Sequence, residues 1–292
     1  MVDLRTPHLG SPADVIPLQY HASMLLDEHR MAGFEAAVGH AVAPGMHVLD
    51  LGTGTGILTY FAARQGARVT AVEREPGVLA AARAAFRAAA LTGVELVHAD
   101  AREYLPDEPV DVVMCEMLHV GLLRERQVEV VDGFKRRYAA KFGAPLPRFL
   151  PEATVQAVQP VWQDFNYFGY EVAAPVFQSP FGPQARTIGL AQPQVFQRFF
   201  YRDDLPARCT ADLRFTIDAP GHANAVRVIT KNLLAVHLNP PGSVDWLMNH
   251  LIVPAPTPVR AAAGDEVHVR FDYRPGDEIP ALEQTLHVSI PS

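Results

Sequence analysis

VLDLGTGTGIL, residues 48–58, ends an apolar run in one carboxylate and three glycines. Glycines let a backbone approach a ligand closely, and a helix opening behind them presents free amides and a partial positive charge. The spacing here is G-x-G-x-G, with Asp50 two residues before Gly52 and Gly54 following. A dinucleotide site would set pyrophosphate against such a loop. A carboxylate this close suits instead a ligand that carries an ammonium group. What surrounds the stretch decides whether the motif has its proper context.

Residues 22–43 place Met24, Leu25, Met31, Phe34, Ala37 and Val38 at helical intervals, and the APG at 43–45 stops that pattern before HVLDLG starts a buried strand. ILTYFAARQG then reads as a helix closed by Gly66, and RVTAVER as a strand. A helix with Pro76 near its start and Gly93 past its end follows, then the strands VELVHAD and VDVVMCE, and a helix over about Arg124 to Lys141. This alternation predicts an α/β fold, a parallel sheet with helices on both faces, whose ligands bind at the carboxyl ends of the strands. Gly52, Glu73, Asp100 and Glu116 all fall at such ends. Glu73 is placed to accept ribose hydroxyls, and Asp100, followed by Ala101, to accept from an adenine amino group. An amino acid, a ribose and an adenine in series describe S-adenosyl-L-methionine. A nicotinamide dinucleotide is the alternative for the motif taken alone, and solvated strand ends are the ordinary fate of any one of these carboxylates.

The chain has 292 residues, enough for two modest domains. From about Leu146 prolines and short Val, Ile and Phe runs replace the alanine-rich helical pattern, with three prolines in APLPRFLPEA. A ligand-binding domain over 1–147 and a β-rich domain over 148–292 are therefore expected. The net charge of −7, with no basic run longer than the KRR at 135–137, excludes a nucleic-acid protein. Two cysteines form no disulfide framework, the first ten residues lack a signal-peptide core, and no apolar run reaches bilayer length. A cytoplasmic protein without membrane contact is expected, and no metal site.

CEMLHVGLLRE, residues 115–125, leaves the fourth strand with Glu116 and returns Glu125 nine positions later, at the expected start of a helix. This double-glutamate loop resembles that of the protein arginine N-methyltransferases. MLLDEHR at 24–30 is similar to their N-terminal helix, VLDLGTGTGIL to their cofactor loop, and LPRFLPEATVQAV at 146–158 to their crossover into a β-barrel. The resemblance runs from about residue 20 to 160 and returns in GDEVHVRFDYRP. It implies a Rossmann-type methyltransferase domain followed by a β-barrel, with Glu116 and Glu125 catalytic on a guanidinium and Arg30 paired with the cofactor's carboxylate. A guanidinium spreads its charge over three nitrogens, so two carboxylates are needed to localise it and aim one nitrogen at the methyl group. The resemblance further implies a homodimer through an arm at about 172–196. The acceptor is arginine in a protein, free arginine or another small guanidine. A non-guanidine acceptor and a non-catalytic cofactor-binding protein are the alternatives.

The chain departs from that family in three places. Tyr20 stands alone where a pair of aromatics precedes the helix, and Met117, His119 and Val120 occupy loop positions that usually carry Trp and Tyr. The family's Thr-His-Trp is replaced by Val244, Asp245 and Trp246, leaving His119 and His250 as candidates for the histidine's part.

Overall fold

The computed structural model describes residues 17–143, 145–238 and 241–291. Residues 11–16, part of the stretch preceding the first helix, lie outside them. The predicted α/β core is present. Helices α1 (Leu18–Leu25) and α2 (Glu28–Ala41) lead into β1 (His47–Leu51), followed by α3 (Ile57–Arg64), β2 (Arg68–Glu73), α4 (Pro76–Ala88), β3 (Val94–His98), β4 (Val112–Cys115), α5 (Gln127–Phe142) and β5 (Arg148–Leu150). The five strands form one parallel sheet in the order β3-β2-β1-β4-β5. The chain builds outward from β1 through β2 to β3, then jumps back to lay β4 on the other side of β1. That reversal opens a crevice beyond the ends of β1 and β4, the place where such sheets bind ligands.

The antiparallel part comprises β6 (Ala153–Gln163), a hairpin of β7 (Asn166–Tyr167) and β8 (Tyr170–Glu171), β9 (Val176–Gln178), β10 (Thr187–Gly189), β11 (Gln194–Phe200) and β12 (Cys209–Thr216). It continues with the long β13 (Gly221–Leu238), β14 (Pro241–Leu247), β15 (His250–Ala261), β16 (Glu266–Tyr273), α6 (Ile279–Thr285) and β17 (His287–Ser289). A seven-stranded sheet centred on β6 and β13 and a three-stranded sheet of β12, β16 and β17 enclose a common apolar core. That core is continuous with the one between α2, α3 and the parallel sheet, joining Phe34, Val38 and Leu58 to Leu234, Trp246 and Val269. The other face of the parallel sheet packs Leu49, Leu51 and Val113 against Phe134 and Tyr138 of α5.

Two local readings need correction, and both bear on the site. The single helical pattern over 22–43 is two helices, because Asp27 adopts an extended conformation and its carboxylate accepts the Arg30 amide at 2.9 Å, starting α2 afresh. The last helix of the parallel unit starts at Gln127, not Arg124, because Leu122 and Arg124 sit at φ +52° and +62°, outside helical space. Glu125 is thus a loop residue. The strand β5 pairs in register with β4 from Val112–Arg148 to Met114–Leu150, so Arg148–Leu150 belongs to the parallel sheet, and the antiparallel strands start at Ala153.

The Asp27 cap sets where Arg30 emerges, since it orders the first turn of α2. Replacing Asp27 with Ala should cost about 1 kcal/mol, seen as a melting temperature lower by roughly 2–4 °C in a calorimetric scan.

Candidate active site

A cavity of about 620 Å³ opens at the crevice beyond β1 and β4, within the range of small-molecule sites. All nine candidates line it: the seven expected to hold the cofactor, Arg30, Asp50, Gly52, Gly54, Glu73, Asp100 and Ala101, and the two glutamates, Glu116 and Glu125. Gly52 and Gly54 hold φ +75° and +59°, and a Cβ on Gly52 would sit 2.2 Å from Met117 Cε. One on Gly54 would lie 2.9 Å from His21 Nδ1. The loop is therefore shaped so that only glycine keeps the floor open. Gly56, at φ +91°, starts α3 with no side-chain cap on its first amides.

The carboxylates divide into anchored and poised. Asp50 is buried, and its Oδ2 accepts from Thr53 Oγ1 and Thr59 Oγ1, each at 2.7 Å. Burial still pushes its carboxyl up to about 6. Glu73 accepts the Gly54 amide at 3.0 Å and the Glu75 amide at 2.7 Å, which ties the end of β2 to the glycine loop. Asp100 is clasped by Arg102, whose backbone amide and guanidinium both donate to it, with Arg74 at 3.6 Å. The Arg102 hydrogen bonds hold it down at about 2. Arg74 and Arg102 escaped sequence reading, since nothing local marks them as cavity residues.

Glu116 and Glu125 converge on one wall. Glu116 Oε2 accepts from Arg30 Nη2, while Glu116 Oε1 is buried with no hydrogen-bond partner among the described residues. The Arg30 guanidinium also stacks 4.9 Å from the centroid of Trp246, which itself packs on Phe34. Desolvation raises Glu116 above the ordinary carboxylate range against the pull of Arg30. Desolvation and the Glu116 charge push Glu125 up to about 8.

The loop between them is held from outside. Gln127, 1% exposed, donates to the Cys115 carbonyl at 2.8 Å and accepts the Met117 amide at 2.9 Å, bracketing Glu116 on both sides. Gly121 donates to Thr230 Oγ1 at 2.8 Å and its carbonyl accepts from Tyr273 Oη at 2.7 Å. The Gly276 amide reaches the Leu122 carbonyl, and the Arg124 amide reaches the Asp277 carbonyl, both at 2.8 Å. Gln127, Thr230, Tyr273 and Trp246 carry this site, and of these four the sequence singled out only Trp246, in the stretch that replaces the family's Thr-His-Trp.

His119 lines the cavity, donates from Nδ1 to the Val120 carbonyl at 3.1 Å, and is pushed by burial to about 4. His250, also pushed to about 4 by burial, starts β15 outside the cavity lining. Both are neutral at pH 7. Asp245 pairs with Lys231 at 2.6 Å. Val244 lies in β14 opposite Ala235. Among the described residues no cluster of metal-ligating side chains occurs, and no helix is long and apolar enough to cross a membrane.

The Methyltransferase domain family matches residues 48–139. An uncharacterized protein of Methanothermobacter thermautotrophicus is 31% identical over 269 residues, spanning 91% of this chain and 97% of that one. Protein arginine N-methyltransferase PRMT10 of Oryza sativa subsp. japonica is 29% identical over 166 residues, 52% of this chain and 43% of that protein. Thus less than half of that longer relative is matched. In structure, the chain superposes on the Trypanosoma brucei PRMT1 enzyme-prozyme complex with AdoHcy at a TM-score of 0.70, with 20% identity and 86% of each chain covered.

The Glu125 carboxyl titrates at about 8 folded against an ordinary 4.5, so the folded state retains a proton that the unfolded chain releases. Its contribution to stability is complete below pH 4.5 and is lost as pH rises through about 8. Glu125→Gln should therefore melt above the parent protein at pH 8, by roughly 2–4 °C per kcal/mol relieved. The difference should close toward pH 4.5 in paired thermal scans.

Proposed function

We propose that this chain, which belongs to the protein arginine N-methyltransferase family, methylates a guanidinium nitrogen with S-adenosylmethionine as cofactor. The observation that carries the reading is the convergence of Glu116 and Glu125 on one wall of the glycine-loop cavity, with a guanidinium, that of Arg30, already on Glu116. The cavity fits the cofactor: the glycine floor would be closed by a Cβ, and Glu73, Asp50 and Asp100 follow the strand ends around it. Glu73 would take the ribose hydroxyls, Asp100 and Ala101 would border the adenine, and Arg30 would meet the carboxylate.

When bound, S-adenosylmethionine supplies an electrophilic methyl on a sulfonium that leaves as a neutral thioether. The protein's part is to make one guanidinium nitrogen nucleophilic. Glu116 and Glu125, each hydrogen-bonded to the guanidinium, draw its charge toward the nitrogens they hold and leave the third oriented for attack. As the new N–C bond forms and the S–C bond breaks, the attacking nitrogen must lose one proton. A carboxyl that titrates near 8 is a better acceptor than an ordinary one, which assigns that proton to Glu125. The anchoring of the loop by Gln127, Thr230 and Tyr273 keeps both carboxylates from relaxing apart.

The exposed aromatic rings of Phe168 and Tyr170, on the β7–β8 hairpin beside the segment 172–196, support a homodimer formed through this region. Most of that segment is also stitched to its own chain, through β9 on β15, β10 on β6, and Phe181 stacked on His29 at 4.2 Å. We assign the domain boundary to Pro151–Glu152, between β5 and β6, and a cytoplasmic location is part of the same proposal.

The test is transfer of a labelled methyl group to arginine, to arginine-rich peptides and to a no-acceptor control. Glu116→Gln and Glu125→Gln should each lower turnover by ~100-fold to ~1000-fold, with S-adenosylhomocysteine binding retained in calorimetry. The double variant should be little worse than the poorer single one, because effects within a catalytic unit are not additive. Glu73→Ala should instead weaken S-adenosylhomocysteine binding. Because Glu125 must be ionised to accept the proton, kcat/KM should climb with pH up to about 8, and a flat profile from pH 6 to 9 would remove Glu125 from that part.

A further inference from the structure

We propose that the methyl acceptor is a small guanidino acid, free arginine being the simplest, and that Arg124 receives its carboxylate while Glu116 and Glu125 hold its guanidinium. The inference rests on the guanidinium reading above and adds the other end of the substrate.

Arg124 immediately precedes Glu125, so the two Cα atoms lie about 3.8 Å apart, and both side chains line the cavity. Its backbone is at φ +62°, where an arginine is strained and a glycine would not be. The amide bond to the Asp277 carbonyl at 2.8 Å fixes it there. Strain maintained at a cavity wall marks a side chain held for a purpose.

The protein's own side chains already outline a guanidino acid. A guanidinium, from Arg30, sits on Glu116. A carboxylate, from Glu278, sits 3.4 Å from Arg124 Nε, and Glu278 lines the same cavity. That distance is too long for a charge-assisted hydrogen bond, which runs to about 2.9 Å, and no hydrogen bond from the Arg124 guanidinium is made among the described residues. An incoming carboxylate thus finds a guanidinium whose present partner is loosely held. Among the other cavity arginines, Arg30 is tied to Glu116 and Arg102 to Asp100, Arg74 lies 3.6 Å from Asp100, and Arg126 lies 3.4 Å from Glu129 in the first turn of α5.

Electrostatics point the same way. Arg124 and Arg126 flank Glu125 at the cavity mouth, with side chains 47% and 43% exposed. Each has a carboxylate at 3.4 Å, Glu278 for Arg124 and Glu129 for Arg126, so the mouth offers no surplus of negative charge to an arginine-rich peptide, which carries no balancing anion. A zwitterionic substrate places its own carboxylate against them, so the same charges that discourage one substrate select the other.

Labelled methyl transfer should be measured on free arginine, on agmatine, which keeps the guanidine and amine but lacks the carboxylate, and on an arginine–glycine peptide. Arginine should exceed both in kcat/KM by roughly 10- to 100-fold. Arg124→Met should raise the KM for arginine by a similar factor, lower kcat/KM for arginine well beyond that for agmatine, and keep S-adenosylhomocysteine binding in calorimetry. Arg124→Lys should restore part of the preference. Equal use of arginine and agmatine, a preferred peptide, or loss of the preference in Arg126→Met but not Arg124→Met would overturn the assignment while leaving guanidine methylation standing. An equal fall in arginine and agmatine turnover in Arg124→Met would reduce Arg124 to a structural part. If none of the three is methylated, the guanidinium reading fails and takes this inference with it.

Discussion

Two carboxylates kept close together out of water repel each other and resist ionisation, and the loop from Glu116 to Glu125 exists to hold them there nonetheless. Left to itself, a ten-residue loop would let them drift apart into solvent. It is held by three separate parts of the chain: Gln127 at its foot, Thr230 and Tyr273 at its crown, and the Gly276–Asp277 turn along its return. The positive φ of Leu122 and Arg124 is the conformational cost of that return. The raised titration of Glu125 is the electrostatic one.

The second unit is therefore more than a platform beside the cofactor fold. Its strands β13 and β16 supply Thr230 and Tyr273, and β14 supplies Trp246, over whose ring the Arg30 guanidinium lies. A continuous apolar core runs between the two units, so the geometry of the glutamate pair is set by packing across their junction. Disturbing the β domain should disturb the carboxylates without touching them.

The cavity is also internally neutralised. Arg30 lies on Glu116, Arg102 on Asp100 and Glu278 against Arg124, which keeps buried charge compensated when no ligand is present. A ligand that replaces these partners exchanges one ion pair for another and avoids leaving a bare charge. The arrangement suits a site that must accept charged groups at several points while desolvating each of them.

Much of this was legible in the residues themselves. Strand and helix periodicity yields the parallel sheet, the carboxylates at the ends of β1, β2, β3 and β4 mark the cavity rim, and the loop from Glu116 to Glu125 resembles one that holds a guanidinium. These are properties of short stretches, and local patterns record local structure. The two misread helix starts, at Asp27 and Gln127, were still local, but hydrophobic spacing says nothing of a side-chain cap or a residue at positive φ. Which partner each charge takes was decided by the tertiary fold alone. Arg30 meets Glu116 across 86 positions, Gly121 meets Thr230 across 109 and Tyr273 across 152. No periodicity encodes such pairs; they arise because β4 lies beside β1 and because the β domain closes over the end of that sheet, bringing together groups whose separation in sequence carries no trace of their contact.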